Sequence, residues 1–222
     1  MKSEKQQPGF TRCIDSASRL VKKVMISLDE VRAFLENGDL GSAYESAFVA
    51  SNHSEKLALI CREMPVYSGN PQAHEQMEDT ILRNYPLEIG FTTEGWFYVC
   101  LPVLLPKKNR GSPDYICNPL YLAMNRFWRD KAPLHYPDNV IIFRHVYSLA
   151  RPERQYRDHD NIELNRIVDI LAMYVMVDDS PLRCRHYYLS APGKTERTEV
   201  YVVPQNEFKI WLESEESGSK ER

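Results

Sequence analysis

The chain has 222 residues, 43% hydrophobic and 11% aromatic, with a net charge of −3; that length suits one domain of ordinary size, or one with an extension, and that apolar share excludes global disorder. No apolar run approaches ~18 residues, which argues against a membrane-spanning helix. Met1 to Arg12 is polar, and Cys13, Cys61, Cys100, Cys117 and Cys184 are scattered without a CxxC pair, so the expectation is a soluble protein of the reducing cytoplasm, without targeting peptide, disulfide framework or zinc motif.

In chain order, residues 1–12 are polar and read as a tail. Leu20, Val24, Leu28, Val31 and Leu35 recur at three- and four-residue steps, and "ENGD" closes that helix at Gly38. A second helix is predicted over 40–62, with Ala43, Ala47, Ala50, Leu57 and Ile60 on one face. The short Gly38 turn implies an antiparallel hairpin. "GNPQAHEQMEDTILRNYP" restarts a helix with Asn70 as cap and Pro71 at the first helical position, and it stops before Pro86. Residues 13–85 are thus a helical arm that could bind another protein.

Beyond Pro86 the period shifts toward strands. "GWFYVCLPVLLP" and "NVIIFRHVYSLA" are rich in β-branched and aromatic residues. A helix is predicted around 119–131, another over 162–173, a strand near 183–190, a turn at "APGKTE" and a final strand at "TEVYVVP". "NEFKIWLE" is extended or helical, and 213–222 is a second polar tail. The order is an α+β domain over 86–212 preceded by a helical hairpin. Trp96, Trp128 and Trp211 are expected in the core.

Charge is unevenly spread. Residues 101–157 carry 10 basic and 4 acidic side chains, a local +6, and residues 158–222 carry 8 and 13, a local −5. A basic stretch running into an acidic one suits a metal-dependent enzyme on a polyanion, and it equally suits ordinary solvated surface. Within the basic stretch, Lys107, Lys108 and Arg110 form one loop, and Arg151, Arg154 and Arg157 surround Tyr156 in "RPERQYR"; such residues position phosphates and stack a base. Within the acidic stretch, "RDHDNIELNRIVDILAMYVMVDDS" sets Asp158 and Asp160 before an amphipathic run and Asp178 and Asp179 after it. An eleven-residue helix is about 16 Å long, and five extended residues span about as much. A reversal after Tyr174 would therefore bring Asp179 back to Asp160, and Asp158 would share its side. Converging carboxylates need a cation, and an all-oxygen set suits Mg²⁺ or Mn²⁺. The alternative is that Asp160 or Asn161 caps the helix and "DDSP" is a turn.

These motifs resemble the RusA family of Holliday junction resolvases. "RDHDN…VDIL…VDDS" is similar to its acidic signature, "WFYVCLPVLLPKKN" to its first strand and exit, and "PLYLAMNRFWRD" to its first long helix; the resemblance covers roughly residues 90–212. It implies a RusA-like mixed β-sheet with two helices. It also implies a homodimeric, Mg²⁺-dependent endonuclease that cuts branched DNA in recombination and repair, with Asp158, Asp160 and Asp179 as catalytic metal ligands and Asp178 in support. The family's Lys four residues after the second Asp of its signature is here Leu164. Three readings follow: a nuclease, a DNA-binding or accessory protein that has lost cleavage, and an interaction module in which the arm does the work.

Overall fold

The computed structural model describes residues 7–108, 113–152 and 156–219. Their elements are α1 (Gln7–Glu36), α2 (Leu40–Glu63), α3 (Ala73–Asn84), β1 (Glu88–Phe91), β2 (Phe97–Leu101), α4 (Asp114–Trp128), β3 (Asn139–Ser148), α5 (Asn165–Val175), β4 (Cys184–Gly193), β5 (Arg197–Pro204) and α6 (Phe208–Ser219). This is a mixed α+β protein with a five-stranded sheet and, among the described residues, six α-helices. None of those helices is long and apolar enough to cross a membrane. The chain divides into two compact units, 1–84 with 106–118 and 85–105 with 119–222, so one division falls within α4. Residues 7–12 begin α1 and 213–219 continue α6, so the predicted tails are helical over those spans.

In the helical unit, α1 packs along α2. Gly38 makes the link with φ 73°, a conformation that costs other residues energy, and Asp39 caps α2 by accepting from the Ser42 amide at 3.0 Å. The side chains buried in this pair are small: Ala17 and Ser27 on α1, Ala43 and Ala50 on α2. Ser46 donates across the pair to Glu30 at 3.3 Å. Before α3, the Asn70 side chain accepts from the Gln72 amide at 3.0 Å in an Asx turn.

In the sheet unit the strand order is β1-β2-β5-β3-β4. β3 and β4 are parallel; the other neighbours are antiparallel. β3 is an interior strand between β5 and β4, buried from Asn139 through Tyr147, as a run of β-branched and aromatic residues requires when both faces are covered. One face packs Val140, Ile142 and Val203 on Trp96 and Trp211, and the Trp96 indole donates to Glu207 at 2.7 Å. The same face buries an ionic group. Arg144 bridges Glu199 at 3.2 Å and Glu215 at 3.1 Å, and Arg197 and Tyr201 donate to Glu199 as well. Two arginines and two glutamates thus balance in charge where they sit, although Arg144 Nε has no hydrogen-bond partner among the described residues. The opposite face carries Ile141, Phe143, His145 and Tyr147. Trp128, also buried, lies beside Phe97 and Tyr174. Since β5 lies on the far side of β3 from β4, the connection crosses the end of β3, and a Cβ at Gly193 would collide with Val146 there.

Candidate functional site

The predicted acids flank α5. β3, α5 and β4 form a crossover between parallel strands, so α5 runs back from the Ser148 end of β3 toward its Asn139 end. Asp158 and Asp160 lie at the first end, where the His159 ring reaches Ser190 Oγ at 3.1 Å and stands 6.2 Å from His145. Asp178 and Asp179 lie at the other, near enough to Cys184 to help raise its thiol, pushed up mainly by burial to about 11. His145 pairs with Ser190 and Asn139 with Cys184; six residues of strand separate those rungs, about 20 Å at ~3.3 Å per residue.

The expected reversal after Tyr174 is therefore not what the chain does. Val175 accepts from the Tyr136 amide at 3.0 Å, Met176 bridges Tyr136, and the turn that opens β4 comes only at Ser180–Arg183. Asp178 belongs to that turn: a hydrogen bond from Ser180 holds its carboxyl below the ordinary range. The early pair also departs from expectation. Asp158 is extended, but residues 159–161 form a 3-10 turn, which breaks the alternation that would have aligned Asp158 with Asp160. Neither Asp160 nor Asn161 caps α5, which starts at Asn165 after the buried Ile162 and Leu164. Leu164, at the position where the RusA family carries Lys, is 6% exposed and is a core residue. Asp169 is exposed on α5.

Among the described residues, no three His, Cys, Asp or Glu side chains come together so as to hold a metal ion. An oxygen-coordinated dication needs several converging ligands, and here the acids are divided between two ends of a strand pair. The residues present do not fit Mg²⁺ or Mn²⁺ at this place.

The predicted basic contacts are also dispersed. Arg110 and Arg154 lie outside the described residues. Lys107 and Lys108 group with the helical unit, Lys108 exposed and Lys107 half-buried. Arg151 is held by both oxygens of Glu196, at 2.5 and 3.0 Å. The Arg157 amide donates to the Tyr147 hydroxyl at 3.0 Å, and the Tyr156 ring stacks on Tyr147 with centroids 4.0 Å apart. Tyr156 is thus turned onto β3.

Two features escaped the sequence reading. On one face of β3 and β4, Phe143, His145, Tyr188, His186 and His159 form a continuous aromatic group. His145 is fully buried, neither ring nitrogen has a hydrogen-bond partner among the described residues, and burial pushes its pKa down to about 4, assisted by His159 and Arg157. It is a neutral core imidazole. Alternation along β3 was its sequence signal, since Phe143, His145 and Tyr147 share a face.

The second feature is on α1. The predicted face mixed two stripes. Ala17 and Ser27 are buried and Val24 and Val31 half-buried, whereas Ile14, Val21, Met25, Ile26, Leu28 and Leu35 are 44%, 42%, 59%, 58%, 52% and 53% exposed; all of the exposed set but Ile26 share one side of α1, adjoining the buried seam. Large apolar side chains this open, in one line, are unusual on a solvated helix. They mark surface available for contact.

A five-stranded mixed sheet with helices on it, joined to a helical unit, defines the chain as an α+β protein of two parts. It belongs to the family of unknown function DUF6100, whose model matches residues 5–221. No curated protein matches it.

Proposed function

We propose that this protein is an interaction module: the helical unit presents an apolar face to another polypeptide, and the sheet unit is a self-contained scaffold. The observation that carries the reading is the outer stripe of α1, five large apolar side chains each more than two-fifths exposed. Taking such a side chain from water to full burial is worth about 1.5–3 kcal/mol; these are about half exposed, so each has roughly half of that to gain, and the five together favour contact. The acids then serve locally, as the turn-forming Asp178 does. Lysine-reactive cross-linking in cells tests this, because Lys22 lies on α1 beside the stripe. Intermolecular products from Lys22, lost in Met25→Glu, are expected. Only intramolecular products would refute the reading.

A second reading keeps the chain among RusA-like proteins as a binder of branched DNA in recombination or repair. The order of elements supports it: a hairpin, a helix, a strand, then a crossover helix with the acid pairs at its two ends. With Leu164 in the core and no fit for Mg²⁺, this reading is of binding without cutting. Labelled four-way junctions test it. Retardation that falls steeply with salt supports it, and incision in Mg²⁺ that Asp160→Asn abolishes would restore the nuclease.

A further inference from the structure

We propose that the outer face of α1 docks on the same face of a second copy of this chain, the two α1 helices running antiparallel with Met25 near the twofold axis. This rests on the interaction reading and adds the occupant.

The order of residues along the stripe carries the inference. At 3.6 residues per turn, Ile14, Val21, Met25, Leu28 and Leu35 fall within one narrow face. Their spacing is nearly the same read from either end, so reversing a second α1 about Met25 sets Ile14 beside Leu35 and Val21 beside Leu28. Two polar residues share the face, Ser18 and Arg32. The same reversal places Arg32 of one copy against Ser18 of the other, where the smallest side chain of the stripe leaves room for the largest. In the single chain, among the described residues, Arg32 pairs with Asp29 at 3.7 Å, both side chains about three-quarters exposed. An ion pair that open is weak and readily exchanged.

Charge then selects the direction. Lys22 and Asp29 flank the stripe on one side, about two turns apart. In an antiparallel pair, Lys22 of each copy lies beside Asp29 of the other, twice by symmetry. A parallel twofold pair would set these two flanks on opposite sides of the seam, so neither lysine would meet the partner's aspartate. The contact is isologous and closes at two copies. It leaves the buried seam of α1 on α2 intact, so two helical pairs meet as four helices.

Sedimentation equilibrium on the full chain tests the proposal. A reversible monomer–dimer equilibrium is expected, weakened about tenfold or more by Met25→Glu. Lys22→Glu alone should weaken it, and Lys22→Glu with Asp29→Lys should restore it. Circular dichroism matching the parent shows that each variant is folded; if Met25→Glu is not, Leu28→Gln reads the same equilibrium. A parent that stays monomeric overturns the proposal, as does a dimer indifferent to the stripe variants or not rescued by the charge exchange. A monomeric parent whose Lys22 still cross-links to a foreign polypeptide in cells removes the second copy and leaves the interaction reading standing.

Discussion

β3 of the sheet unit and α1 of the helical unit dispose of their apolar side chains in opposite ways. β3 is buried from Asn139 to Tyr147, flanked by a strand on each side and covered on both faces. Among the described side chains of α1, Ala17 and Ser27 are buried, and Ile14, Val21, Met25, Ile26, Leu28 and Leu35 are exposed. A strand in the middle of a sheet can satisfy itself within its own unit. A helix covered mainly by one neighbour, as α1 is by α2 and the turn at Met64–Ser68 that follows it, cannot: the neighbour covers one stripe, and further apolar side chains are left for something else. The sheet unit is organised by its interior and the helical unit by an unfinished surface.

If that contrast is right, damage in the sheet should act on stability and damage on α1 on association. The largest effects belong to the sheet. Phe143→Ala empties a fully buried ring site against Tyr188 and should cost about 3–5 kcal/mol in denaturant unfolding. Arg144→Ala removes the buried cation that bridges Glu199 and Glu215, Glu199 keeping Arg197 and Tyr201, and should cost about 3 kcal/mol. A loss under ~1 kcal/mol in either would show the interior to be loosely packed and break the comparison.

Next comes acidity. Burial holds His145 at about 4 in the folded chain, against 6.5 ordinarily. The unfolded chain therefore takes up the proton first as pH falls. Stability from this group is intact above about pH 6.5 and is lost progressively down to about pH 4, a total on the order of 3 kcal/mol. His145→Phe should flatten that part of the stability–pH curve, measured by unfolding at fixed pH steps. A slope that persists unchanged would assign the acid sensitivity to another group.

A smaller loss sharpens the picture of the sheet. Thr198 is fully buried and donates to the Val103 carbonyl at 2.9 Å, so Thr198→Val should cost about 1 kcal/mol. The smallest stability effect belongs to α1: Leu28→Gln, at a position 52% exposed, should change monomer stability by less than about 0.5 kcal/mol while changing association. The same substitution inside β3 would be severe.

Much of the architecture was legible in the sequence. The helix boundary at Gly38 follows from glycine's freedom to take a left-handed turn and that at Pro86 from proline's exclusion of helix before it, and β3 follows from a run rich in β-branched and aromatic residues. The tryptophans are buried, as their apolar surroundings in the chain implied. What was not legible depended on pairing between distant segments. Whether Asp179 returns to Asp160 is decided by Met176 bridging Tyr136, forty residues away and invisible to a length argument. Helix length and loop length matched, but the loop was spent on a bridge and a turn at Ser180. The stripes of α1 failed for a related reason. Leu20, Val24 and Val31 share three- and four-residue steps with Leu28 and Leu35, and periodicity alone cannot divide a wide apolar arc between a neighbour and the outside. His145 was similarly ambiguous, since an imidazole on a strand reads alike as core or surface.

Two methionines allow the central contrast to be measured inside one molecule. Met25 on α1 is 59% exposed and Met173 on α5 is 53% exposed, so brief oxidation of the isolated chain at high dilution should convert both to the sulfoxide at similar rates. When the protein is concentrated, or oxidised in cells, Met25 should become protected while Met173 continues to react, as quantified by mass spectrometry of the two peptides. Equal oxidation of Met25 and Met173 under every condition would contradict the account.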